Sequence, residues 1–192
     1  MSRLSLLSIQ DAKKAAAQVD IPAPKAVASI YRALLQHPIL AKRVNDLIET
    51  LLVESALNPQ LRELIIMRIG WSNEGVYEWT QHWRIAQQFG VTERDLLAVR
   101  DWQGHEHWSV EQQTVLQATD EMLVKGAISS EAWEACTQVL PSDRERLELV
   151  TTIGTWKMVS DLLKCLEVPL DEGLTPWPPD GVSPGSWPGS TG

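Results

Sequence analysis

The sequence predicts an all-α protein. Apolar residues recur at helical spacing in one segment after another, and Pro, Gly and capping Ser, Thr or Asn residues separate the segments. Alternating apolar and polar runs rich in β-branched residues, which indicate strands, are absent from the sequence. A chain of 192 residues that is 44% hydrophobic can form a real core. We therefore expect a helical domain over residues 25–170, with a lead-in over 1–24 and a Pro/Gly-rich tail over 171–192.

The first half of the chain predicts three helices after a polar, Ala-rich lead-in to which no helix is assigned. A stripe of apolar residues favours a helix over 25–36, which His37-Pro38 ends. A second apolar stripe covers 39–55. Asn58-Pro59 resembles a cap followed by Pro at the first helical position, and it opens a third helix that reaches about Gly70. This third helix is apolar nearly all round, which predicts that it is buried.

The second half predicts five more helices. A short break over 71–75 precedes a helix over 76–89, which Gly90 ends, and the remaining helices are a short one after Thr92 and those over 110–125, 130–139 and 144–166. Six prolines follow position 168, so we expect the tail to be extended or disordered. We also expect residues from about Thr175 onward to add little stability, unless Trp177 or Trp187 docks on a neighbouring subunit.

Charge and hydropathy narrow the class of function. The net charge of -8 opposes binding to nucleic acid, which depends on Lys and Arg neutralising phosphates. No apolar run approaches the length of a membrane span, and the N-terminus has no signal-peptide pattern. A soluble, cytoplasmic protein that binds neither nucleic acid nor membrane is the expectation.

Neither the cysteines nor the histidine-rich loop predicts a redox or metal site. Cys136 and Cys165 lie far apart, outside any Cys-x-x-Cys pair, so we interpret them as reduced, half-buried thiols. His105 and His107 share a polar loop, but the nearby sequence offers no third and fourth ligand. We therefore predict no metal.

One helix carries the residues best suited to proton transfer. Glu78 and His82 are four residues apart, so they share a helix face, with Tyr77, Trp79 and Trp83 around them. The alternative is that Glu78 and His82 form an ordinary surface pair on an amphipathic helix. Glu63 lies in the apolar run of the preceding helix. Because the break between the two helices is short, they can form a hairpin, and we expect Glu63 and His82 to come within hydrogen-bonding reach.

A weak internal repeat suggests duplication. Ile69-Gly70-Trp71 follows an apolar helix that begins near Arg62, and Ile153-Gly154-Thr155-Trp156 follows a similar helix that begins near Arg146. The second copy has Leu147 in place of Glu63, and no histidine follows it. The fold prediction therefore includes a possible internal duplication.

Together these residues resemble the carboxymuconolactone decarboxylase / AhpD-like family. The resemblance rests on Arg62-Glu63-Leu64, the apolar run to Gly70, and Glu78-Trp79-x-x-His82 followed by Ala86 and Gly90. Tyr31-Arg32, Leu34 and His37-Pro38 agree upstream, and the segment from Gly154 to Leu166 agrees downstream. It covers roughly residues 25–170. It implies an all-α, AhpD-like helical bundle that packs into dimers, trimers or hexamers.

The family has two chemical styles, and this chain resembles one of them. Peroxidase members carry two thiols that fall here at Gly75 and Glu78, with a histidine at His82 and a relay glutamate at Glu63. Without those thiols, thiol peroxidase chemistry ranks last. Decarboxylase-like members carry Glu-aromatic-x-x-His at this place and act on small carboxylated lactones without a metal or organic cofactor.

The leading hypothesis is a cofactor-free acid–base enzyme, a decarboxylase-like lyase acting on a small carboxylated or lactone-like molecule. Its catalytic candidates are His82, Glu63 and Glu78. The substrate-binding candidates are Trp79, Trp83, Tyr77 and Arg68, and Arg84 is a weaker anchor for a substrate carboxylate. Decarboxylation, isomerisation and hydrolysis remain open. The alternative is a non-catalytic oligomeric binding or scaffold protein of the same fold.

Overall fold

The computed structural model describes residues 2–186 and confirms the all-α prediction. Those residues contain nine α-helices and no β-strand, and no helix among them is both long and apolar enough to cross a membrane. The α-helices are α1 (Ile9–Ala17), α2 (Ser29–Leu34), α3 (Pro38–Val53), α4 (Pro59–Ser72), α5 (Val76–Gln88), α6 (Glu93–Ala98), α7 (Val110–Lys125), α8 (Ser130–Val139) and α9 (Asp143–Cys165).

The predicted helix boundaries coincide with local capping chemistry. The Asn58 side chain accepts a hydrogen bond from the backbone N–H of Gln60 at the start of α4, beside Pro at the first turn. Ser109 and Gln112 form a reciprocal capping box at the start of α7. Gly126 ends α7 in the left-handed conformation, with φ of 73°, which glycine adopts without strain.

The N-terminal region differs from the prediction in two places. The lead-in contains α1, which Ser8 caps and whose Ala12 and Ala16 are fully buried. Small alanine side chains allow close packing without long apolar residues, so the hydrophobic pattern of this helix was too weak to reveal it. The helix predicted over 25–36 divides into a short 3₁₀ turn and α2, because Ala28 between them is extended, with ψ of 140°.

Packing divides the chain into two compact units. The first comprises Met1–Glu54 with Leu162–Leu174, and the second comprises Ser55–Asp161 with Thr175–Gly192. The first has a core around the buried Tyr31 and Leu35. The second surrounds α4, ten residues of which are buried, as its nearly continuous apolar pattern predicts. The domain predicted over residues 25–170 stays a prediction.

Tryptophan dominates the core of the second unit. Trp71 and Trp79 lie with their ring centroids 5.1 Å apart, and Trp79 and Trp83 lie 5.8 Å apart. The guanidinium carbon of Arg100 lies 4.9 Å from the centroid of the Trp71 ring, within the range of a cation–π interaction. These rings therefore fill the interior of the unit.

The tail corrects the expectation that it packs little. Trp177 packs edge-on against Trp71 at a centroid distance of 5.9 Å, within its own chain. The indole N–H of Trp79 donates to the carbonyl of Pro178 at 2.8 Å, and Arg100 forms a two-point ion pair with Asp180 at 2.8 and 2.9 Å. A segment rich in Pro and Gly can thus bury an aromatic ring without regular secondary structure. Trp187 lies outside the described residues.

Replacing Trp177 with Ala is therefore expected to destabilise the protein by about 1–3 kcal/mol, the usual range for lost aromatic packing. Thermal unfolding of the full-length variant measures the loss. Val110→Ala is a matched control, because Val110 is 68% exposed in the same unit. If Trp177→Ala unfolded at the same temperature as the wild type, the tail would add little stability, as the sequence predicted.

Candidate functional site

The site begins in the hairpin between α4 and α5. Glu74 adopts a left-handed φ of 52°, and the N–H of Gly75 donates to the carbonyl of Gly70 at 2.7 Å, which closes the turn. A Cβ atom at Gly70 would lie only 3.1 Å from the backbone nitrogen of Trp79. A glycine at position 70 therefore lets the two helices approach closely enough for side chains on both to meet.

The predicted contact between Glu63 and His82 is confirmed. Nδ1 of His82 on α5 lies 2.8 Å from Oε2 of Glu63 on α4. Glu63 is fully buried, and the His82 side chain is 9% exposed. The surface-pair alternative is wrong for this helix, since Glu78 is also buried. The hairpin thus creates an interior carboxylate–imidazole dyad.

Arg62 binds the other oxygen of the Glu63 carboxylate, the one that does not face the imidazole. Its Nε and Nη2 atoms donate to Oε1 of Glu63 at 3.1 and 3.0 Å, which leaves Oε2 for His82. Burial alone would raise the pKa of Glu63, but the neighbouring His82 and Arg62 outweigh burial and lower it. Glu63 is therefore a carboxylate. Arg62 was not among the predicted site residues, although an Arg-Glu pair inside an apolar run was a usable signal.

Trp156 supplies the other neighbour of the imidazole. It lies on α9, is 3% exposed, and its Nε1 atom is 3.2 Å from Nε2 of His82. Its ring meets the imidazole edge-on at a centroid distance of 5.9 Å. The sequence offered no signal for this contact, because the two residues are 74 positions apart. Only the packing of α9 beside α5 brings them together.

Glu78 lies close to His82 without bonding to it. Its Oε2 atom is 3.7 Å from Nε2 of His82, beyond hydrogen-bond distance. Burial raises the pKa of Glu78. Burial lowers the pKa of His82, but the carboxylate of Glu63 more than offsets this and raises it. His82 and Glu78 interact, and the pair therefore holds a proton to higher pH than the isolated side chains would.

The aromatic substrate-binding candidates are interior residues. Trp79 is fully buried, while Tyr77 and Trp83 are 4% and 6% exposed. Both Trp79 and Trp83 belong to the aromatic core of the second unit. Their contact with a substrate remains a prediction, whereas their packing role is visible.

Arg68, a predicted substrate-binding residue, is bound to groups of the protein itself, and its contact with a substrate stays a prediction. Its guanidinium binds Asp120 at 2.6 and 3.0 Å and donates to the carbonyls of Val99 and Arg100 at 3.0 Å. These partners accept hydrogen bonds from the guanidinium N–H groups that a substrate carboxylate would need. Arg84, the weaker candidate, is exposed on α5.

Arg68 also borders a cavity of about 560 Å³ in the second unit. Its lining mixes both charges with apolar groups and consists of Arg68, Trp71, Ser72, Glu74, Arg100, Asp101, Asp120, Leu123, Val124, Pro184 and Gly185. His82 is not part of this lining. The cavity and the dyad are thus separate features of the same unit.

At Gly75, one of the two positions that carry thiols in peroxidase members, a side chain would meet a neighbour on another helix. A Cβ atom at Gly75 would lie 2.5 Å from Oγ of Ser160 on α9. The actual cysteines lie elsewhere: Cys165 is exposed, and Cys136 is fully buried, with its pKa raised by burial. A raised pKa disfavours the reactive thiolate.

Gly75→Ala is expected to cost about 1 kcal/mol, because Ser160 must turn away from the added methyl group. The φ of -83° at Gly75 suits alanine, so backbone strain adds nothing. The double variant Gly75→Ala/Ser160→Ala should recover most of the loss, as urea unfolding would measure. Equal losses with and without the Ser160 hydroxyl would contradict the predicted clash.

The histidine-rich loop is a hydrogen-bonded structure. Nε2 of His107 lies 3.0 Å from Oδ1 of Asp95, and its ring stacks on Trp108 at 4.6 Å. Within residues 2–186, no group of three or more His, Cys, Asp or Glu side chains is placed to hold a metal ion.

Comparison with known proteins finds one family whose sequence pattern matches part of this chain. Residues 38–121 match the model of the carboxymuconolactone decarboxylase family, a stretch that contains Glu63, Glu78 and His82 but not Trp156. No match was found among curated proteins.

Solved structures show the same fold at low sequence identity. The alkylhydroperoxidase AhpD core of an uncharacterized peroxidase-related protein from Ralstonia eutropha JMP134 has a TM-score of 0.71 at 11% identity, covering 89% of this chain and 93% of that one. An uncharacterized peroxidase-related protein from Silicibacter sp. TM1040 has a TM-score of 0.68 at 14% identity, covering 92% and 89%.

A third similar structure is that of the debrominase Bmp8 in complex with 2,3,4-tribromopyrrole. Its TM-score is 0.70 at 12% identity, and the match covers 90% of this chain and 95% of that one. Residues 38–121 are thus similar to the carboxymuconolactone decarboxylase family, and the described helices have an AhpD-like fold.

Proposed function

We propose that the protein is a cofactor-free acid–base enzyme that acts on a small carboxylated or lactone-like molecule. The observation that carries the proposal is the buried chain of Arg62, Glu63 and His82, with Glu78 beside it. A structural core rarely contains so many ionisable groups, since burying charge is costly unless a partner compensates it. Perturbed groups of this kind cluster at sites of chemistry.

The chemistry follows from the order of the groups. Glu63 holds the Nδ1–H of His82 and stabilises the imidazolium that forms when Nε2 accepts a proton. Glu78, 3.7 Å from Nε2, is the second group that can move a proton. A site with two proton-transfer groups suits reactions that pass through an enolate or carbanion next to a carbonyl. Decarboxylation, isomerisation and hydrolysis of a lactone all fit this description.

The similar structures support the proposal in a limited way. One is that of a debrominase in complex with a small halogenated ring. The AhpD-like fold therefore hosts chemistry on small cyclic molecules in at least one other protein, although fold alone does not determine reaction. For this chain, the acid–base assignment rests on its own buried residues.

A ligand screen tests the proposal. Small lactones and carboxylates are screened by thermal shift, where a ligand at 100 times its dissociation constant adds about 2.7 kcal/mol. Molecules that stabilise the wild type are then assayed for turnover. Turnover that depends on His82 supports the enzyme. Binding without turnover across the stabilising compounds would favour the alternative, a binding or scaffold protein.

We also propose that the protein is a homo-oligomer. Several large apolar side chains are exposed in each unit, among them Ile39 and Val53 on α3 and Leu147 on α9, at 65%, 73% and 68%. Exposed apolar surface of this kind is characteristic of subunit interfaces. Light scattering that gives a species of 21.5 kDa at every concentration would contradict the proposal.

A further inference from the structure

Hydrogen-bond donors and acceptors around His82 determine which nitrogen carries its proton. Nδ1 faces the Glu63 carboxylate at 2.8 Å, and a carboxylate only accepts, so Nδ1 carries a hydrogen. Nε2 faces the indole Nε1 of Trp156 at 3.2 Å, and an indole nitrogen only donates. Nε2 must therefore accept. This geometry describes a neutral imidazole with its hydrogen on Nδ1.

We propose that Trp156 is a positioning residue that keeps Nε2 of His82 free of a proton in the resting protein, so that the proton shared by His82 and Glu78 resides on Glu78. Placing that proton on Nε2 would direct an N–H group at the indole N–H. Glu78 offers no compensating hydrogen bond, because its Oε2 atom is 3.7 Å from Nε2.

The charged groups that face His82 act in opposite directions on its protonation. Glu63 and Arg62 act on it from α4 and Glu78 from its own helix, while α9 contributes the uncharged indole. Burial and Arg62 oppose the imidazolium, whereas the carboxylate of Glu63, and that of Glu78 when ionised, favour it. Burial raises the pKa of Glu78, so its carboxyl group is a ready alternative carrier of the proton. The indole N–H of Trp156, 3.2 Å from Nε2, opposes a proton at that nitrogen, whereas a proton on the Glu78 carboxyl avoids leaving that buried group charged.

The consequence deepens the proposed function, on which it rests, by assigning the two roles. His82 is the resting base and Glu78 the resting acid. A substrate that engages Nε2 must replace the indole with a proton donor of its own. Such a donor is an acidic C–H next to a carbonyl, or an enol or hydroxyl O–H. The proton passes from the substrate to Nε2, and Glu78 returns one to the product.

Nitrogen NMR of the substrate-free protein tests the placement. The chain has four histidines, and the spectrum of His82→Gln identifies the signals of His82. At pH 7 the wild type should show one protonated and one unprotonated ring nitrogen at His82. In Trp156→Phe both nitrogens should be protonated, and the carboxyl carbon of Glu78 should move to the shift of the ionised form.

Trp133→Phe is the matched control, because Trp133 lies on α8 in the same unit and is 39% exposed. It should leave the His82 signals unchanged. An imidazolium in the wild type at pH 7, or a His82 that stays neutral in Trp156→Phe, would overturn the proposal. If Trp156→Phe does not fold, the wild-type spectrum decides alone. The proposed function fails separately, if turnover survives the loss of His82.

Discussion

His82→Ala is expected to lower turnover by about 10²–10⁴-fold, the usual contribution of a general acid–base group. The reason is that the imidazole contacts the Glu63 carboxylate through Nδ1 while its Nε2 faces Glu78. Turnover of a compound identified by the ligand screen is the measurement.

Three further substitutions separate lost chemistry from lost structure. His82→Asn retains an N–H group that can donate to Glu63 but cannot shuttle a proton, so it should fold and be as inactive as His82→Ala. Cys136→Ala and Cys165→Ser should keep near wild-type turnover. If a cysteine variant were inactive while His82→Ala stayed active, the acid–base mechanism would be wrong and a thiol mechanism would be favoured.

Glu78→Gln tests whether Glu78 transfers a proton during turnover or only affects the neighbouring imidazole. A loss similar in size to that of His82→Ala means that Glu78 moves a proton during turnover. A small loss means that it only tunes the imidazole. The pH profile adds a second measure: because the pKa of Glu78 is raised, activity that needs its proton should fall as pH rises through that pKa.

Arg62→Met is expected to destabilise the protein by about 3–5 kcal/mol at pH 7, the cost of leaving one charge of a buried pair without its partner. The Arg62 side chain is 1% exposed, so water cannot replace its two hydrogen bonds to Glu63. Urea unfolding measures the loss. Arg84→Met, at an exposed position of α5, makes the same substitution without a buried partner and should be nearly neutral.

The pH dependence of this loss has a definite sign. The pKa of Glu63 is lowered in the folded protein, so its stabilisation is complete above its unfolded pKa and disappears as pH falls through the folded one. The difference between wild type and Arg62→Met should therefore shrink on acidification. The double variant Arg62→Met/Glu63→Gln should be more stable than Arg62→Met at pH 7. If Arg62→Met lost the same amount of stability at every pH, the loss of side-chain packing alone would explain the effect.

Helix type and position were predictable because local rules decide them. The apolar stripe of α3, the Asn58-Pro59 start of α4 and the Gly126 end of α7 all act within a few residues. The exception is α1, whose buried face consists of alanines and gives little apolar contrast. The tail was also predicted wrongly. Its composition predicted little packing, but Trp177 packs on Trp71.

The dyad was predictable for a similar reason. Glu63 and His82 lie on consecutive helices joined by a short turn, and a short connection makes such helices antiparallel neighbours. Glu78 shares a face with His82 through helical spacing alone. The sequence by itself therefore determined the all-α class and the meeting of three ionisable residues, Glu63, Glu78 and His82.

Only the tertiary structure decided what surrounds that centre. Trp156 reaches Nε2 of His82 from a helix 74 residues away, Ser160 closes the space beside Gly75, and Asp120 takes up the guanidinium of Arg68. None of these contacts follows from periodicity, because each depends on which distant helix packs against α4 or α5. Local sequence thus specified which ionisable groups meet, while long-range packing specified which side chains surround them.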